Sequence, residues 1–236
     1  MLFRSSNLNS RGIKCLPLPA NASSIEGYSC AKNFELGVNY YLIPRGLSSL
    51  KKLIFYAHGD TGQCGNGASG ENFLWDKFPI LRDRNAVAYF PYRSNQARNM
   101  SFDLATQIRN MEDGLGVKNI PWTLVGHSYG GKFIARQLVA YPSVIGKVQE
   151  IVLLDATYDI DTILYPNLKI AMTNGPRIRV RALSSTTYEN GKALQALMNN
   201  EFPNRFTLEK ITGEHCRSEE HTSELQSRET ISYAVF

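Results

Sequence analysis

Residues 122–131 read Trp122-Thr123-Leu124-Val125-Gly126-His127-Ser128-Tyr129-Gly130-Gly131. The first four are apolar or β-favouring, as in a short buried strand. Behind the glycines, Phe133, Ile134, Leu138 and Tyr141 recur at helical spacing. Between strand and helix stands a Gly-x-Ser-x-Gly motif. The motif alone is a modest signal, but a strand before it and a helix after it supply the setting of a nucleophile elbow. Such a turn is tight, so the residues flanking the serine must be small for the backbone to bend and hold the hydroxyl clear of the sheet. Gly126, Gly130 and Gly131 provide that room, which makes Ser128 the candidate nucleophile.

Working outward, strand-like and helix-like segments alternate. Residues 34–43, 51–57, 86–90, 122–125, 148–154, 178–183 and 205–211 read as strands. Residues 72–81 and 192–199 read as helices, and a further helix starts at a Ser101 cap, with Leu104, Ile108, Met111 and Leu115 on one face. This alternation predicts a mainly parallel, doubly wound sheet flanked by helices on both faces. The length of 236 residues and the 43% apolar content suit one core. The expected organisation is an N-terminal extension over 1–33 and one α/β domain over 34–216. Residues 217–236 form a third segment of different character: 217–227 and 231–236 look like the in-frame translation of a short-read sequencing adapter. That tail is set aside as non-native, and deleting it is expected to leave melting temperature and activity unchanged.

A serine hydroxyl needs a base, and histidine titrates in the useful range. Outside the tail there are three histidines. His127 is held in the elbow, where its side chain should point away. His58 lies in a loop expected to donate backbone N–H groups. His215, just after the last strand, is left as the base. The acid that orients it is expected at Asp155, which ends the strand 148–154 at the C-terminal edge where functional groups of open α/β sheets gather. Glu189 is the rival, in a stretch (186–189) that reads as loop or as helix start; Asp159 and Asp161 are weaker candidates. Oxyanion donors are expected from the backbone N–H of Tyr129 and from Gly59 and Asp60. The rest of that Gly-rich loop, 61–70, would line the substrate entrance. A phosphate-binding reading of it fails because no Gly-Lys-Ser/Thr follows.

These residues resemble the α/β-hydrolase superfamily over nearly all of 34–216. His58-Gly59 is similar to its oxyanion motif, residues 126–130 to its elbow, and Leu154-Asp155 to lipase-like members whose acid follows the sixth strand. The resemblance implies ester, thioester or amide cleavage through an acyl-serine, with a Ser-acid-His order and no cofactor. Two departures stand out: no Asp follows the strand 178–183, and the closing helix expected after His215 is missing. About twenty residues separate Asp155 from the next strand, too few for a large cap domain, which favours an esterase on small or exposed acyl groups over a lidded lipase. A peptidase or amidase on the same triad and a non-catalytic binding module of the same fold are the alternatives.

The remaining features bound partners and place. The net charge of +5 comes from basic residues spread without a block, an argument against nucleic-acid binding. Arg177, Arg179 and Arg181 would share one strand face, as a partly solvated face or an anion site. Cys15, Cys30, Cys64 and Cys216 lack a CxxC spacing, so no metal site is expected. Two disulfides or free thiols are equally compatible, with Cys64 and Cys216 near the expected site. No apolar run reaches membrane-span length and Met1–Ser10 carries no leader-like apolar stretch, leaving the compartment and the oligomeric state open.

Overall fold

The structure, a computed structural model, describes residues 14–17, 27–34, 37–44, 47, 49–57, 86–91, 103–173, 175–182 and 185–211. The described strands are β1 (Lys14–Pro17), β2 (Gly27–Phe34), β3 (Gly37–Pro44), β4 (Lys52–Ala57), β5 (Ala86–Pro91), β6 (Trp122–His127), β7 (Val148–Leu154), β8 (Arg177–Ala182) and β9 (Phe206–Lys210). They form one sheet in the order β1-β2-β3-β5-β4-β6-β7-β8-β9. The six strands from β5 to β9 in that order run parallel. The β1-β2-β3 ribbon adds antiparallel strands at one edge. This is the mainly parallel, doubly wound sheet that the alternating pattern predicts.

The chain winds outward from β4 in both directions, so β4 and β6 flank a topological switch point. Ala57, the last residue of β4, pairs with Gly126 of β6. The segment leaving β4 therefore starts beside the elbow.

Four helices are described: α1 (Leu104–Leu115), α2 (Tyr129–Ala140), α3 (Tyr165–Thr173) and α4 (Ser185–Glu201). Their buried residues, such as Met111, Ile134, Leu168 and Met198, join one core cluster with alternate strand residues: Leu53, Phe55, Leu124, Ile151, Leu153, Ile178 and Val180. The intervening residues Ile54, Tyr56, Val125, Val152 and Leu154 are also buried but belong to the opposite face. Burial on both faces explains why β4 from Leu53 onward and β7 from Ile151 onward read as continuous apolar runs rather than as an alternation.

Several boundaries differ from the sequence reading. The cap of α1 is Asp103 rather than Ser101, which lies outside the described residues. The Asp103 carboxylate accepts from the Thr106 backbone N–H and from the Thr106 hydroxyl at 2.7 Å. A carboxylate at the helix N-terminus satisfies donors that the helix leaves unpaired. The other end of α1 stops at Gly116, whose φ of 68° closes the helix in the left-handed region. Helix α4 starts at Ser185 instead of residue 192, so Glu189 sits within a helix. Residues 155–176, read as a loop, hold a π turn (Ile160–Leu164) and α3. Strands β1 and β2 were not read from the sequence at all; their register makes Cys15 and Cys30 directly paired backbone positions. The expected helix over 72–81 lies outside the described residues, as does the tail.

The three arginines of β8 do lie on one strand face, and carboxylates of neighbouring strands occupy two of them. Arg179 pairs with Glu150 of β7 at 2.8 Å. Arg181 is buried and sends both Nε (3.1 Å) and Nη2 (3.2 Å) to the Glu209 carboxylate of β9. With its guanidinium forked onto a carboxylate, Arg181 is a cross-strand tie, and the solvated-face reading holds over the anion site.

Candidate active site

Strand β6 delivers Ser128 to the C-terminal edge of the sheet, at the first step into α2. Its backbone has φ 51° and ψ −122°, a region that non-glycine residues rarely occupy and that costs on the order of 1–3 kcal/mol. Two hydrogen bonds hold it there. The Ser128 N–H donates to the Leu154 carbonyl at 3.0 Å, and the Ser128 carbonyl accepts from the Gly131 N–H at 3.2 Å.

The glycines around it are fixed by close approach. A Cβ on Gly126 would stand 2.7 Å from both Cα and N of Gly131, backbone atoms that cannot swing aside. A Cβ on Gly131 would stand 2.7 Å from the Ala156 Cβ. Gly126→Ala is therefore expected to open the turn and cost about 1–3 kcal/mol, as overpacking does. A lower melting temperature together with lost turnover checks this; an unchanged melting temperature would contradict the contact.

Tyr129 begins α2, where the first backbone N–H groups have no partner within the helix and the positive end of the helix dipole points outward. Its ring is engaged away from the turn. The Lys132 ammonium lies 4.5 Å from the ring centroid, and Arg136 Nη1 donates to the phenol oxygen at 3.4 Å. His127 is buried, in keeping with a side chain turned from the nucleophile.

Of the four carboxylates weighed from the sequence, Asp155 alone is buried, with 1% of its surface exposed. It follows Leu154, the residue whose carbonyl binds Ser128, so the serine and this acid stand at adjacent strand ends. Its own N–H donates to the Arg181 carbonyl at 2.7 Å, which bends the chain off the sheet at a φ of 43°. The Thr187 hydroxyl of α4 donates to Asp155 Oδ1. Burial and, second, the nearby Asp155 charge push the Tyr158 phenol above its ordinary value.

The rivals face elsewhere. Glu189 has a side chain 64% exposed and pairs with Lys192 one turn on at 2.7 Å. Asp159 is 48% exposed and pairs with Lys132 at 2.6 Å; Asp161 is exposed. His215, His58, Gly59, Asp60, Cys64 and Cys216 lie outside the described residues. Sequence reasoning missed Thr187, Thr157 and Asn190, which surround the acid. No signal marks them, because which polar residue meets Asp155 depends on how α4 docks. Among the described residues no group of three or more His, Cys, Asp or Glu side chains could hold a metal. No described helix is long and apolar enough to cross a membrane.

No family model matches the chain, and no curated protein matches it in sequence. Solved structures match it in fold. FphF, a fluorophosphonate-binding serine hydrolase of Staphylococcus aureus, superposes with a TM-score of 0.56 at 10% identity, covering 92% of this chain and 97% of that one. A dienelactone hydrolase from Anabaena variabilis gives 0.54 at 13% identity, over 92% and 96%. An S-formylglutathione hydrolase of Staphylococcus aureus gives 0.51 at 13%, over 95% and 96%. The chain has the α/β-hydrolase fold.

Proposed function

We propose that this chain is a serine hydrolase that cleaves a carboxylic ester through an acyl-serine intermediate. One observation carries the reading: Ser128 is held in a disfavoured backbone conformation at the β6–α2 turn, hydrogen-bonded to the carbonyl that precedes the buried Asp155. Strain of this kind persists only where the surroundings over-determine it, and here it lifts a hydroxyl to the sheet edge.

In this reading His215 takes the Ser128 proton as Oγ attacks the ester carbonyl, and Asp155 orients the imidazole and stabilises its cation. The protonated His215 then gives the proton to the departing alcohol. A water activated by the same histidine releases the acid and regenerates Ser128. The oxyanion would be met by the Tyr129 N–H at the positive end of α2 and by an N–H of Gly59 or Asp60. Reach is compatible with this. His215 lies four residues past Ile211, a span of up to about 14 Å. Strand β7, which carries Asp155, is two strands from β9, or about 10 Å.

An ester with a small acyl group suits the site better than a bulky one; supporting this, the described residues between β7 and β8 fold back as the π turn and α3 against α2. Structures that match its fold include, by name, a dienelactone hydrolase and an S-formylglutathione hydrolase. A fluorophosphonate probe, followed by peptide mapping, tests the proposal. Labelling of Ser128 and turnover of p-nitrophenyl esters that falls as the acyl chain lengthens are expected. Absent labelling would point instead to a binding module; labelling with amide but no ester turnover would point to a peptidase or amidase.

A further inference from the structure

We propose that Thr187 is a positioning residue for Asp155, setting which carboxylate oxygen the triad histidine meets; this rests on the triad reading above. Thr187 is fully buried, 0% exposed, in the first turn of α4. Its hydroxyl donates to Asp155 Oδ1. A hydroxyl carries a single proton, so that donation commits it, and the β-branched side chain has few rotamers in a helix. With Oδ1 held, the plane of the carboxylate and the direction of Oδ2 are set.

The threonine is itself fixed by a second layer. The Thr157 hydroxyl donates to the Thr187 carbonyl at 2.5 Å, and Asn190 Nδ2 donates to the Thr157 carbonyl at 2.8 Å. Residues 155–157 are thereby clamped to the first turns of α4 by three side-chain hydrogen bonds. A hydrogen bond to the ionised form also offsets part of the desolvation that burial imposes on a carboxylate.

The packing reading of the same residue makes the opposite ranking of variants. Thr187→Val keeps the shape and removes the proton; Thr187→Ser keeps the proton and removes a methyl. Positioning predicts that Thr187→Val lowers kcat of a p-nitrophenyl ester about 10- to 100-fold, the worth of one hydrogen bond to a charged group. KM should change little. Thr187→Ser should stay within about threefold of the unchanged chain. In the Asp155→Asn background Thr187→Val should add almost nothing, since coupled residues are not additive.

A serine variant slower than the valine variant, or an equal valine effect with Asp155 and with Asn, would overturn the proposal while leaving the triad standing. Fluorophosphonate labelling of the unchanged chain separates the two failures. If Ser128 does not label, the hydrolase reading fails and this inference falls with it.

Discussion

If the proposed mechanism holds, replacing Ser128 with alanine is expected to lower ester turnover by up to about a millionfold, as loss of the nucleophile does in serine hydrolases. Folding should survive. Both hydrogen bonds that hold this turn use backbone atoms, the Ser128 N–H and carbonyl, and alanine retains them. The unusual φ of 51° is equally disfavoured for alanine and serine, so the strain is unchanged and only the reacting oxygen is removed. A urea unfolding curve with an unchanged midpoint, alongside abolished turnover and abolished fluorophosphonate labelling, is the expected pair of results. Turnover retained in Ser128→Ala would remove the mechanism altogether.

Asp155→Asn should cost on the order of 10⁴-fold in kcat. The geometry at Thr187 gives a reason specific to this chain. If the Thr187 hydroxyl goes on donating to Oδ1, as it does to the carboxylate, the amide nitrogen of asparagine takes the place of the other carboxylate oxygen. A donor then faces the imidazole N–H where an acceptor is required, and the histidine is driven to the wrong tautomer. Glu189→Gln should change turnover little, because it removes only an exposed ion pair with Lys192 on the outer face of α4. If Glu189→Gln were the damaging change and Asp155→Asn the mild one, the acid would belong to the β8 side and Asp155 would be a structural anchor of the β7–α4 junction.

Strand β7 was legible, Val148–Leu154, because its second half, Ile151 to Leu154, is buried on both faces of a central parallel strand and reads as an unbroken apolar run. The antiparallel ribbon at the side of the sheet carries no such signature. Strand β2, Gly-Tyr-Ser-Cys-Ala-Lys-Asn-Phe, mixes small and polar residues and is defined by its pairing with β3 rather than by its own pattern. Helix α3 was hidden for a related reason: it buries only Leu168, Ala171 and Met172, too few to mark a period.

The nucleophile turn was local information. Gly126, Ser128 and Gly131 fall within six residues, and the sterics that demand glycine there act over that same short span, so Ser128 could be picked out from its neighbours in the chain. The candidate acid was a different kind of question. Asp155, Asp159, Asp161 and Glu189 are chemically alike, and no local pattern separates them. What separates them is burial and partnership across long stretches of chain: Arg181 to Asp155 through the backbone, and Thr187 to Asp155 across 32 residues. Those contacts exist only once β8 pairs with β7 and α4 docks beside the end of β7. A carboxylate's role depends on its surroundings, on desolvation and on the donors that meet it, and in this protein those surroundings are built from residues that the sequence keeps apart.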